Sequence, residues 1–402
     1  MTGILRSPVE EPAEWPMVRT DPYSPPDAYA ELRQGPPVKV RIRTGEAWLV
    51  TRYEDVRRVL TDERFSSDDT LPGFPVRIQL PPAPRVMSFT RMDGEEHNRL
   101  RRMVMPEFTA RATRRLRPQV EALVDRLLDE LAEGPRPVDL VARLSLRLPS
   151  LVIARMLGVP ESDEVDFTDL SQAVLSQDAS PEEILAAFVR MTEYLDGLIT
   201  AKLNRPADDL LSRLATQYLA TGELSREDLV AMARLLLVAG HETTAHQLSL
   251  SVAVLLRHPE QLADLRRDPS LFGSAVEELL RYWSITQDNQ VRVAVADTEV
   301  GGVRIPRGAG VILAYPSANH DEAVFADGGR FDIRREDASR HIAFGHGRHL
   351  CPGAPLARME LELCLRALFE RFPALRLADV PEPVVFRQNT INYGLTALHV
   401  TW

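Results

Sequence analysis

The sequence predicts a mainly α protein in which one large helical region carries a smaller β-rich part. Three observations predict it. Helical hydrophobic spacing persists from Glu95 to about Met359, punctuated at Pro106, Gly134-Pro135, Gly158-Val-Pro160, Pro181, Pro206, Gly222 and Pro259. Short strand-like runs gather near the two ends of the chain and after Arg281. No fixed-period repeat or low-complexity linker divides the 402 residues, so residues 1–402 are expected to form a single domain, its β-rich part at about 36–52, 291–314 and 384–402.

In chain order, Ala28 to Gln34 reads as a helix, Val38 to Arg43 and Ala47 to Thr51 as strands around Gly45, and Tyr53 to Thr61 as a helix. From Asp62 to Pro84 proline, glycine and paired acids interrupt any period, and a loop of that length suits either a pocket wall or a disordered segment. The longest helix is expected from Arg226 to Arg257, opened by Ser225 with Asp228 in capping-box position and stopped by His258-Pro259. Strands are expected at Val291 to Ala296, Val303 to Ile305, Gly310 to Ala314, Val384 to Phe386 and Leu395 to Val400, and a last helix at Ala354 to Phe372.

Composition excludes several function classes. A net charge of −10 and a pI near 5.5 argue against a general nucleic-acid binder. No uninterrupted apolar stretch reaches the roughly 18 residues of a membrane span; even Leu229 to Gly240 contains Arg234. The N-terminal MTGILRSPVEEP lacks the apolar core of a signal peptide, and the expected location is cytoplasmic. Cys351 and Cys364 are too few for a disulfide framework. Cys364 falls at an apolar helical position, whereas Cys351 has glycines and histidines as neighbours.

That neighbourhood reads Phe344-Gly-His-Gly-Arg-His-Leu-Cys-Pro-Gly353 and runs straight into a helix. A thiolate that ligates a metal must stay deprotonated, and backbone N–H groups at a helix N-terminus help it to do so. Gly345, Gly347 and Gly353 allow the backbone to fold tightly around the sulfur, and Phe344 would shield it from water. An isolated cysteine is by default a core residue. A zinc site would need further ligands nearby, and a nucleophile with His346 or His349 as base would have that base awkwardly close in sequence.

Phe344-Gly-x-Gly-x-His-x-Cys-x-Gly353 resembles the haem-binding signature of the cytochrome P450 superfamily, and the resemblance extends from about Tyr29 to Trp402. It is nearest to soluble actinobacterial members. The resemblance implies the cytochrome P450 fold, haem b as cofactor and Cys351 as the proximal iron ligand. Other motifs agree in order. Ala239-Gly-His-Glu-Thr-Thr244, in the long helix, is similar to the oxygen-activation groove, with small residues at Ala239 and Gly240 beside the macrocycle and with Glu242 and Thr243 as catalytic acid and alcohol. His97, Arg101, Arg292 and His349 resemble donors to the haem propionates. Glu278-Leu-Leu-Arg281 matches the family's structural Glu-x-x-Arg pair, with Arg330 as the third member, although Ala326-Asp-Gly-Gly lacks the usual proline approaching it.

The activity so implied is insertion of oxygen from O2 into a small organic substrate, or its oxidative coupling, the substrate being a secondary metabolite. With no reductase segment fused in the chain, electrons are expected from a separate ferredoxin and ferredoxin reductase, docking on Arg99, Arg102, Arg348 and Arg358. Gln287, Asp288 and Asn289 make the stretch that lines the family's substrate pocket polar here. Two other readings remain at this stage: a peroxide-using haem oxygenase and a non-catalytic haem sensor.

Overall fold

Ser225 follows a turn, is itself extended, and turns its hydroxyl onto the N–H of Asp228 (3.0 Å), which starts the helix that organises the molecule. A computed structural model describes residues 12–75, 89–175, 180–287, 290–387 and 392–402. Its N-terminal region alternates strands and short helices: β1 Ala13–Glu14, α1 Ala28–Leu32, β2 Val38–Ile42, β3 Gly45–Val50, α2 Tyr53–Thr61 and β4 Phe65–Ser66. Helices then dominate, as α3 Gly94–Val104, α4 Ala110–Glu133, α5 Arg147–Leu157, α6 Glu164–Leu175, α7 Pro181–Asn204, α8 Leu210–Leu214, α9 Arg226–Arg257, α10 Pro259–Arg267 and α11 Phe272–Tyr282, with the short strand β5 Val138–Asp139 after α4. The remainder comprises β6 Val291–Ala294, β7 Thr298–Val300, β8 Val303–Ile305, β9 Gly310–Leu313, α12 Tyr315–Ala318, α13 Ala354–Arg371, β10 Arg376–Leu377, β11 Val384–Phe386 and β12 Leu395–Thr401.

The 32 residues of α9 span roughly 48 Å at 1.5 Å per residue. Its side chains are buried on nearly every face, because α5, α7 and α13 pack around it, and a helix apolar all round can be stable only in such a core. Pro259 does more than stop α9: it occupies the first turn of α10, where its missing N–H costs nothing, and so turns the corner at His258. No helix among the described residues is long and apolar enough to cross a membrane.

The three expected β regions separate into two sheets. The first two share one six-stranded sheet, ordered β1-β2-β3-β9-β6-β4, in which Val40 pairs with Ala47 and Arg292 with Val311. The third pairs apart, β12 lying between β10 and β11 with β5 also against it; β7 and β8 form a separate hairpin. The expected long loop after Asp62 is partly strapped down. Phe65–Ser66 adds a strand to β6, and a Cβ on Gly73 would stand 1.9 Å from the carbonyl oxygen of Gly308, so only glycine permits that approach. Residues 76–84 of the same loop lie outside the described residues.

One expectation is corrected here. Glu278 and Arg281 are fully buried and bidentate, at 2.6 and 2.8 Å. The second arginine on Glu278 is Arg335, whose Nε lies 3.3 Å from Oε1, and not Arg330, whose side chain is 67% exposed beside Asp332. Arg330 contributes only its carbonyl, which accepts from Arg281 (3.1 Å). The turn before Arg330 lacks proline: Asp327 adopts φ 53°, a Cβ on Gly328 would lie 2.7 Å from the carbonyl oxygen of His320, and Arg335 donates to the carbonyls of Ala326, Asp327 and Arg330 within this turn.

Candidate active site

The loop from Phe344 to Gly353 closes through the Cys351 N–H, which donates to the carbonyl of Phe344 (2.9 Å). Gly345 and Gly347 hold φ of 78° and 72°, the left-handed region that disfavours other residues. A Cβ on Gly347 would also lie 2.7 Å from the carbonyl oxygen of Leu60, at the end of α2. Gly353 differs: its φ is an ordinary −74°, and it serves as the N-cap of α13 next to the sulfur. The N–H groups of Gly353 and Ala354 hydrogen-bond the Cys351 sulfur. Burial pushes the thiol pKa up against these donors and against the nearby Arg101 and Arg358.

Cys351 is thus deep among protein atoms, yet the residue itself is uncovered. A residue both deep and uncovered opens onto an interior space. Cys364, one helix further on, is fully buried in the core. Phe344 packs under the guanidinium of Arg358 (4.7 Å), which in turn pairs with Glu277 at 2.5 and 3.0 Å. The hydrogen bonds from Arg358, with Nε2 of His341 3.2 Å away, outweigh the burial of Glu277 and hold its pKa down to about 2.

Beside the loop lies a cluster with more donors than acceptors. The His97 and His349 rings stand 4.3 Å apart, centroid to centroid. Both ring nitrogens of His97 are buried without a partner among the described residues. Burial, together with His349 and Arg101, holds its pKa down to about 4. Arg292, in the middle of β6, is buried and donates to the carbonyl of its own neighbour Val291 (2.7 Å). Arg101 reaches the carbonyl of Leu350 (2.5 Å) and ties α3 to the cysteine loop. Two members were not foreseen. Arg91 is held down to about 10 by burial and by the cation of Arg292, and Asp93 accepts from His349 (3.0 Å), Ser66 (2.6 Å) and the Ser67 N–H (2.7 Å). Although burial would raise the pKa of Asp93, those bonds hold it well below the usual carboxylate range. With its oxygens so engaged, Asp93 cannot serve His97 or Arg292, and a group bringing further carboxylates fits what remains.

On α9, Ala239 is exposed between the half-buried Val238 and Gly240, in a helix otherwise largely buried, a second surface opening inward. Thr243 donates its hydroxyl hydrogen to the carbonyl of Ala239 (2.7 Å). Gly240, also expected beside the macrocycle, packs closely on α5: a Cβ there would lie 2.7 Å from Cδ1 of Ile153. The carboxylate of Glu242 accepts from Nη1 of Arg387 (2.8 Å) and lies 3.4 Å from Nε2 of His246. Burial of Glu242 is offset by His246 and Arg387, and its pKa falls below the ordinary value. Arg387 could not be found from sequence, since it stands alone at the end of β11 with no motif around it.

Gln287 accepts from Nε of Arg19 (3.2 Å), so its polarity is met by the protein, and Asp288 and Asn289 lie outside the described residues. Of the four expected docking arginines, Arg99 is paired with Glu96 (2.6 Å), Arg358 with Glu277 and Arg348 with Glu63 (3.4 Å), while Arg102 is exposed.

Comparison with known proteins bears on this arrangement. The model of the family described as cytochrome P450 matches residues 19–270 and 270–392. Pentalenic acid synthase of Streptomyces avermitilis is 43% identical over 98% of each chain, and the mycinamicin VIII C21 methyl hydroxylase of Micromonospora griseorubida 42% identical over 96% of this chain and 99% of its own. The crystal structure of cytochrome P450 MoxA from Nonomuraea recticatena superposes with a TM-score of 0.91 at 44% identity, covering 97% of this chain and 98% of that one. A glycine-bracketed deep cysteine, a donor-rich cluster suited to carboxylates and near-complete coverage by these relatives lead to one assignment: the chain belongs to the cytochrome P450 family and is a haem monooxygenase.

Proposed function

We propose that this enzyme inserts oxygen from O2 into a small secondary metabolite, with electrons delivered by a ferredoxin and its reductase. The observation that carries the reading is the sulfur of Cys351, which receives two backbone N–H groups and opens into the interior. Cys351 would be the iron ligand, with Phe344, Gly345, Gly347 and Gly353 shaping the loop around it. His97, Arg101, Arg292 and His349 would hold the two propionates, satisfying the orphaned nitrogens of His97. Ala239 gives the macrocycle room against α9. The haem, when bound, supplies the activation of dioxygen; the thiolate's electron donation favours O–O cleavage.

The chain's own residues handle water and protons. Thr243 spends its hydroxyl hydrogen on Ala239, which leaves its oxygen lone pairs directed at whatever donor enters the interior space. Glu242, one residue earlier, can carry a proton only after loosening from Arg387, whose Nη1 already donates to its Oε1. The relatives' names, which give pentalenic acid synthesis and the hydroxylation of mycinamicin VIII, support a secondary metabolite as substrate.

The test is the visible spectrum of the reduced, carbon-monoxide-bound protein, followed by turnover with dioxygen and ferredoxin or with peroxide. A red-shifted main band and product only with dioxygen and ferredoxin are expected. An unshifted band overturns the thiolate ligand, and peroxide-only turnover overturns the electron source. Charge reversal of Arg102 and Arg348 is expected to slow ferredoxin-supported turnover and to flatten its salt dependence.

A further inference from the structure

Arg387 reaches α9 from the far end of the chain, and its guanidinium is unevenly used. Its Nη1 serves both Oε1 of Glu242 (2.8 Å) and, in a very close contact, Nε2 of His246. Its Nε and Nη2 have no bond among the described residues, although the side chain is only 9% exposed. Neither atom is sealed in protein, so that edge of the fork stays open to a ligand while Nη1 holds the guanidinium against Glu242 and His246 of α9. An arginine edge of two parallel N–H donors matches one group best, a carboxylate taken bidentately.

The surroundings fix the guanidinium in place. The His246 ring lies where a Cβ of residue 394 would be, 2.2 Å from Nδ1, so Gly394 gives it the place it takes beside Arg387. Burial holds the His246 pKa down, so the ring is neutral and the local charge is one cation against the one carboxylate of Glu242. A single added negative charge can be shared by Arg387, whereas a phosphate's two would leave the buried site strongly anionic.

We propose that Arg387 anchors a carboxylate on the substrate, sharing its guanidinium between that group and Glu242. The proposal rests on the monooxygenase reading and names its substrate class. An arriving carboxylate competes with Glu242 for the same cation and loosens the acid beside Thr243, which couples substrate binding to proton delivery.

The test is a set of spin-shift titrations of the haem-loaded enzyme near neutral pH with matched pairs: dodecanoate and methyl dodecanoate, biphenyl-4-carboxylate and its methyl ester. At least one acid is expected to bind about tenfold tighter than its ester or better, the scale of a hydrogen-bonded charged group. Arg387→Gln is expected to abolish that preference while keeping the carbon-monoxide band. Glu242→Gln, which removes the competitor, is expected to tighten acid binding severalfold and leave the esters unchanged. The proposal is overturned if no acid outbinds its ester, or if the preference survives Arg387→Gln. Should that variant lose its haem, Glu242→Gln decides, and an unchanged acid-to-ester ratio overturns the proposal. Failure of the monooxygenase reading itself would show separately, as a wild-type band without the red shift.

Discussion

Two of the buried charged clusters among the described residues, those around Glu278 and His97, are built on opposite plans. Around Glu278 every donor finds an acceptor: Arg281 uses its fork on Glu278 and on the carbonyls of Asn319, Gly328 and Arg330, while Glu278 also takes the Asp332 N–H and Arg335. Around His97 the donors exceed the acceptors, with two orphaned ring nitrogens, Arg292 on a single carbonyl of its own strand, and one carboxylate, Asp93, already engaged elsewhere. Burial of charge has the same cost in both places. The difference is who meets it. A cluster complete in itself supports the fold, whereas a cluster left incomplete by the protein is shaped for something the protein binds.

The comparison can be broken at either end. The largest effect is expected from Glu278→Ala, which strands Arg281 in the core and should cost about 3–5 kcal/mol in urea unfolding of the haem-free protein. A loss below about 1 kcal/mol would show that the first cluster is not structural. Arg292→Met is expected to behave in the opposite sense, leaving the haem-free protein as stable or more so and weakening haem retention by about 1.5–3 kcal/mol, or roughly tenfold to a hundredfold. Equal haem affinity in the variant would remove Arg292 from the site.

Smaller effects sharpen the contrast. Arg335→Ala should cost about 1–3 kcal/mol through a buried acceptor left short of a donor, while Arg330→Ala should stay within about 0.5 kcal/mol; thermal denaturation of the pair decides which arginine completes the cluster. The last effect is a slope. His97 is held at about 4 in the fold against 6.5 for the free side chain, so the neutral ring is favoured on folding. Its contribution is complete above about pH 6.5 and is lost as pH falls through the window towards 4. Unfolding of the haem-free wild type should therefore steepen with acid over that window relative to His97→Gln, and haem should reduce the difference by supplying the missing acceptor.

What was legible in the sequence was local. Ser225, His258-Pro259 and the glycines of the cysteine loop act on backbone within a few residues, and the ends of α9 and the left-handed turns at Gly345 and Gly347 follow from them. What crosses the chain was not. Arg330 and Arg335 stand five positions apart, and which side chain turns under Glu278 depends on the path of the turn from Asp327 onward, which no local pattern announces. Arg387 meets Glu242 across 145 positions, with no pattern in either segment to announce the other. Asp93 carries no such signal, because a site for carboxylates shows in a sequence through its cations. Gly240 also has a packing role that its motif does not announce, since a Cβ there would meet Ile153.

The central claim is that the uncovered cysteine, and not the buried one, holds the iron. Iron X-ray absorption of the haem-loaded protein tests it directly, comparing wild type, Cys364→Ala and Cys351→His. A sulfur bonded to iron in wild type and Cys364→Ala, replaced by nitrogen in Cys351→His, is the predicted result. A wild-type iron without sulfur, or sulfur ligation that survives Cys351→His, would contradict it.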